Sequence, residues 1–194
     1  MKGQVLFIEE DESEMKKEEV ERIQAEAAAY LQRGGIAITD RERQSIEVAD
    51  FGLNDVMNVG LEIVVYENND RYCAKELILF PRQMCPQHRH PRVGETNPGK
   101  QETFRCRWGE VFLYVEGTAT ANPRAVVHDR HKKHVSVWHE IVLKPGDQYT
   151  IKPDTLHWFQ AGDQGAIVSE FSSTSLDELD VFTDPHIKRM PEIE

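Results

Sequence analysis

The sequence predicts a mainly β protein, an antiparallel barrel of the jelly-roll type with one helix at its N-terminus. Two observations set that class. From about residue 36 onward, short runs of β-branched and aromatic residues alternate with Gly, Pro and Asn turns. Only one stretch, ahead of those runs, repeats its apolar residues at helical spacing. Many short strands with a single good helix indicate a sandwich or barrel rather than a layered α/β fold.

The helix is expected over residues 11–33. Asp11 can cap it, Glu14 completes a capping-box pattern, and Gly34-Gly35 ends it. Val20, Ile23, Ala27, Tyr30 and Leu31 fall on one face, which suits packing on a barrel or on a second subunit. The strands begin with residues 61–66, followed by the hairpin turn Asn68-Asn69-Asp70 and a run from Tyr72 to Phe80. Further strands are expected at 103–108, 111–115, 141–143, 149–151 and 167–171. Residues 128–139 read as an exposed polar connection, with His128, His131 and His134 in solvent; His139 and His186 carry no clear signal. No repeat or linker divides the chain, so residues 1–194 are expected to form one domain. Residues 1–45 would be a helical extension and 46–194 the barrel.

Composition excludes several classes of function. The formal net charge is −11, whereas binding nucleic acid takes a concentrated basic face. No apolar run reaches the roughly 20 residues that span a bilayer, and the N-terminus turns acidic before a signal-peptide core could form. The expectation is a cytoplasmic protein with a small-molecule partner, and no nucleic acid or membrane. Cys73, Cys85 and Cys106 are odd in number and lack CxxC spacing, so buried reduced thiols are expected.

The chemistry concentrates in two strings. His88 and His90 stand at i and i+2, which on a strand points both imidazoles to one face. Farther on, Pro145-Gly146-Asp147 makes a turn, Pro153 ends a strand, and His157 returns to the interior. With a carboxylate and a glycine seven positions beyond it, these are the two motifs of the cupin superfamily, whose barrel is a double-stranded β-helix. Glu102 with Gly109 satisfies the pattern, and so does Glu110 with Gly117; the shorter loop and strand parity favour Glu102. His88, His90, Glu102 and His157 are therefore the expected ligands of one divalent ion. The ligand types suit Mn²⁺, Fe²⁺, Co²⁺, Ni²⁺ or Zn²⁺ with positions left open for water or substrate.

With these residues in view, the chain resembles the D-lyxose isomerase family of cupins. The resemblance rests on residues 85–91 (CPQHRHP), residues 98–104 (PGKQETF), Arg107, residues 156–159 (LHWF) and residues 169–173 (SEFSS). It implies interconversion of D-lyxose with D-xylulose, together with D-mannose and D-fructose, using Mn²⁺ in a homodimer. It also makes Glu170 the candidate general base. Lys100 is the candidate for either of two roles: donor to the oxygen that gains negative charge, or partner that neutralises Glu102. The implied route runs through an enediolate stabilised by the metal, and a hydride shift is the other route open. Two other functions use the same motifs, an Fe²⁺ dioxygenase and a non-catalytic sugar binder. A phosphorylated sugar stays open too, because Arg89, Arg92, Arg105 and Arg107 lie near the motifs.

Overall fold

The two longest strands organise the molecule, and both owe their length to a bend in the middle. In the computed structural model, which describes residues 15–189, the strands are β1 (Glu47–Ala49), β2 (Leu61–Asn68), β3 (Cys73–Leu79), β4 (Met84–Arg89), β5 (Glu102–Val115), β6 (His139–Leu143), β7 (Gln148–Ile151), β8 (His157–Ser172) and β9 (Val181–Phe182). β5 and β8 pair antiparallel from Glu102↔Ser172 to Val115↔His157, with bulges on either side of Gly109. Bulges of this kind turn a strand from one sheet into another. The far half of β8 pairs with β3, which continues to β2 and β1, while the near half pairs with β4, which continues to β9. β7 and β6 flank the two halves of β5. The result is two antiparallel sheets sharing two bent strands, a curled barrel of the predicted class.

Gly109 is needed at that bend. Its φ is +73°, and a Cβ there would overlap the carbonyl oxygen of Gly165 on β8. The runs predicted at 103–108 and 111–115 are thus one strand with a glycine hinge. The run predicted at 167–171 is the far end of a sixteen-residue strand that starts at His157.

The interior between the sheets is filled by Leu77, Leu79, Phe104, Val111, Leu113, Phe159 and Val168, all buried. A second apolar layer lies outside β1–β3, where α1 (Lys17–Arg33) sets Val20, Ile23, Ala27, Tyr30 and Leu31 against Val48, Ile78 and Ile167. The predicted face is the one that packs. The helix, however, begins at Lys17, with Lys16 as an N-cap that makes no side-chain cap bond; Asp11 and Glu14 lie outside the described residues. A capping box does occur one element later, at α2 (Asp40–Gln44). There Thr39 and Glu42 satisfy each other's backbone N–H groups.

The turn after β2 forms as predicted, with Asn69 Oδ1 accepting from the backbone N–H groups of Arg71 and Tyr72. The connection at 128–139 is not uniformly solvated. It holds a short helix, α3 (Asp129–Lys132), and His131 is buried against Asp55 while His128 stays exposed. His134 is half-buried beside Asp184. The correction has a plain cause: Asp55 and Asp184 supply carboxylates that come from distant parts of the chain. Cys73, Cys85 and Cys106 are buried free thiols, as expected.

Candidate metal centre

Strand alternation builds the site. On β3 the inward positions are Lys75, Leu77 and Leu79; on β5, Glu102, Phe104 and Cys106; on β8, Ala166, Val168 and Glu170. Toward one mouth of the barrel, then, the inward residue of each strand changes from apolar to charged. The register sets Lys75 and Phe104 on either side of Glu170. His88 from β4 and His157 from β8 pair directly, and His90 follows just past the end of β4.

The three imidazoles converge, with ring centroids 4.3 to 5.4 Å apart and potential ligand atoms within 4.8 Å of one another. Each ring has its Nδ1 engaged elsewhere. His88 Nδ1 lies 2.8 Å from the Pro86 carbonyl oxygen, and His157 Nδ1 lies 2.9 Å from that of Thr155. A carbonyl can only accept, so those Nδ1 atoms donate and the Nε2 lone pairs face inward. His90 Nδ1 lies 2.5 Å from Asp180 Oδ1, a carboxylate behind an imidazole, which is the arrangement that orients metal-binding histidines.

Glu102 completes the convergence. Its Oε1 is 3.0 Å from His157 Nε2 and 3.3 Å from His90 Nε2. All three atoms are buried without a hydrogen-bond partner, and buried lone pairs left unmet are costly. Such a set of inward-facing acceptors fits a divalent cation. Glu110, the other carboxylate the motif allowed, is half-exposed and 3.7 Å from Lys144, away from the imidazoles.

Lys100 joins the two carboxylates of the site, 2.8 Å from Glu102 Oε2 and 2.6 Å from Glu170 Oε1. It is buried, as is Glu170. Burial opposes the charge on Lys100, but Glu102 and Glu170 outweigh it and hold the ammonium well above its usual range. Burial likewise opposes the charge on Glu102, and Lys100 and His90 overcome it, leaving the carboxylate ionised. His88 is kept neutral by burial and by the two neighbouring imidazoles. Burial also works against a charge on His90, yet Glu102 and Asp180 raise its pKa to about 9.

These groups line one side of a cavity whose other walls include Phe51, Leu61, Ile63 and Leu77. Three charged residues in the lining escaped the sequence reading: Lys75, Asp177 and Arg189. Lys75 Nζ sits 2.7 Å from Asp177 Oδ2, and Arg189 reaches both Asp177 and Glu47. A lysine at an inward position of an otherwise apolar strand was the available signal for Lys75. Of the arginines near the motifs, Arg89 pairs with Asp154, Arg105 with Gln148, and Arg107 with Ser169 on the outer face. None of those three lines the cavity.

Comparisons with known proteins show the family to which the chain belongs. The D-lyxose isomerase family model matches residues 32–194. A D-lyxose ketol-isomerase of Thermofilum sp. (strain ex4484_79) is 64% identical over 177 residues, covering 91% of this chain and 98% of the relative. A D-lyxose/D-mannose isomerase of Thermosediminibacter oceani is 61% identical over 180 residues, covering 93% and 99%. Among solved structures, the L-ribose isomerase of Acinetobacter sp. DL28 in complex with L-ribose superposes with a TM-score of 0.78 at 16% identity, over 94% of this chain and 99% of that one. The L-ribose isomerase of Cellulomonas parahominis with L-ribose gives 0.74 at 16% identity, over 91% and 96%. At that identity the likeness speaks for the fold alone. On the family match and the high identity of its relatives, the chain belongs to the D-lyxose isomerase family and is a sugar isomerase.

Proposed function

We propose that this enzyme is a metal-dependent aldose–ketose isomerase acting on D-lyxose and D-xylulose, and on D-mannose and D-fructose. One observation carries the reading: two buried carboxylates bridged by Lys100 stand in one cavity beside three imidazoles whose Nε2 atoms face inward. His88, His90, Glu102 and His157 would hold the ion, with Mn²⁺ the first candidate. When bound, it supplies a Lewis acid that favours negative charge on the sugar's oxygens.

The remaining work falls to the chain's own residues. Isomerisation moves a proton from C2 to C1 and another between the two oxygens. Glu170 is placed to be the base that carries the carbon-bound proton, because its carboxylate is buried, faces the cavity and is held by Lys100. Lys100 serves both roles open to it. It neutralises Glu102 and, as a permanent cation, can donate to the oxygen on which negative charge accumulates. The apolar wall of Phe51, Leu61 and Ile63 excludes water from the reacting carbons.

The test is ketose formation by metal-stripped protein supplied with Mn²⁺ and either D-lyxose or D-mannose. Metal-dependent xylulose or fructose is the expected result. A chain that binds one ion in the barrel yet converts neither sugar overturns the proposed substrates, and oxygen uptake with Fe²⁺ then becomes the next measurement.

A further inference from the structure

A second group of ligand-type side chains lies outside the barrel. Its centre is Asp184, a buried carboxylate on the strap of residues 173–189, whose Asp177 and Arg189 line the barrel cavity. Its two oxygens face two different imidazoles. Oδ2 is 3.4 Å from His134 Nε2, and Oδ1 is 2.9 Å from His186 Nδ1. The ligand atoms of all three residues lie within 4.8 Å of one another.

The 3.4 Å separation is informative. It is too long for a strong hydrogen bond, but it matches the edge of a tetrahedron whose metal–ligand bonds are about 2.0–2.1 Å, roughly 3.3 Å. The corresponding N–O separations among the barrel imidazoles and Glu102 are 3.0 and 3.3 Å. The two clusters share a ligand chemistry, and the His134–Asp184 separation lies close to those in the barrel, while His186 Nδ1 stands at hydrogen-bond distance from Asp184 Oδ1.

The frame that holds these residues is hydrogen-bonded without any ion. The backbone N–H of His186 donates to Asp184 Oδ1, fixing the turn that carries both. Thr183 donates its hydroxyl to the carbonyl of His134 and its N–H to that of Gln87, so the strap is stitched to the connection before β6.

We propose that His134, Asp184 and His186 form a second metal site, which takes a borderline transition ion such as Zn²⁺ and fastens the strap to the connection that carries His134. Two imidazoles and one carboxylate suit such an ion, with water completing the coordination. The position gives the site a consequence. A few residues upstream, Asp180 supports His90, and Phe182 lies 5.3 Å from the ring of His88. An ion on Asp184 holds both residues in place and slows the opening of the strap.

The experiment uses the untagged full chain dialysed to equilibrium against graded Zn²⁺, with bound zinc counted for the wild type, His186→Ala and His88→Ala. The side chain of His186 is 70% exposed, so its removal leaves the core untouched. The expected counts are two ions per chain for the wild type and one for each variant. Zinc should also slow amide exchange across residues 180–189 in the wild type and in His88→Ala, but not in His186→Ala. Equal zinc counts and affinities in wild type and His186→Ala overturn the proposal. A single wild-type ion abolished by His88→Ala overturns it too, while leaving the barrel site intact. A single wild-type ion lost only in His186→Ala supports the rim site and counts against the barrel one.

Discussion

Glu170 stands where a strand's inward positions pass from apolar to charged, and its neighbours settle what its loss should do. Glu170→Gln keeps the shape and a contact for Lys100, but it has no basic oxygen pair. Turnover is expected to fall on the order of 10²–10⁴-fold with bound metal unchanged. Near-normal kcat in that variant would remove Glu170 from the role of base. His88→Ala should lose turnover and the barrel ion, because it deletes one of three converging Nε2 atoms. Metal content by emission spectroscopy and ketose formation on the same sample separate the two cases. Asp180→Asn tests the support behind the metal centre. It removes the carboxylate behind His90, and metal affinity is expected to weaken about 10–100-fold while the fold persists. Unchanged affinity would mean that Asp180 only anchors the strap.

At the scale of elements, the barrel depends on how closely β5 and β8 approach at their bend. Gly109→Ala adds a methyl group where the backbone of Gly165 already lies, and it forces a left-handed φ on a residue with a Cβ. The two longest strands must then separate, at a cost on the order of 3 kcal/mol or more. Urea denaturation checks this, and a midpoint within a few tenths molar of the wild type would mean that the bend relaxes without strain. The same bend is why His157 and Glu170, thirteen residues apart, belong to one strand and serve one site, linked through Glu102 and Lys100. The second apolar layer is simpler: an amphipathic α1 covers the outer face of β1–β3, and its packing residues follow helical spacing.

For the molecule as a whole, one buried acid should shape stability against pH. Glu62 lies wholly inside, with Gln83 donating to Oε1 and nothing meeting Oε2. Burial raises its pKa from 4.5 to about 8. Between those values the folded chain holds a proton that the unfolded chain has released, so stability falls as pH rises across that window. The loss amounts to something on the order of 4–5 kcal/mol by pH 8 and does not deepen above it. Glu62→Gln keeps an oxygen for Gln83 and has no proton to lose. Its stability advantage over the wild type should grow from near zero around pH 4.5 to its full size by pH 8. Parallel urea-midpoint profiles for the two proteins would show that Glu62 is not the group responsible.

What could be read from the order of residues was whatever depends on spacing within one segment. His88 and His90 at i and i+2, the Pro-Gly-Asp turn before His157, the apolar stripe of α1 and the Asn-rich hairpin turn are all local periodicities, and the structure forms each of them. The family strings at 98–104 and 169–173 pointed to Lys100 and Glu170, which the fold brings within 2.6 Å of each other. Other features depended on contacts between segments that no local pattern links. Gly109 bending β5 into one long strand, Lys75 meeting Asp177 from a hundred residues away, and Arg189 entering the cavity are decided by β-strand register and the path of the strap. His131 and His134 leave solvent for the same reason, since Asp55 and Asp184 reach them from distant segments of the chain. A charged side chain's burial is set by the partner that satisfies it, and that partner is a property of tertiary structure.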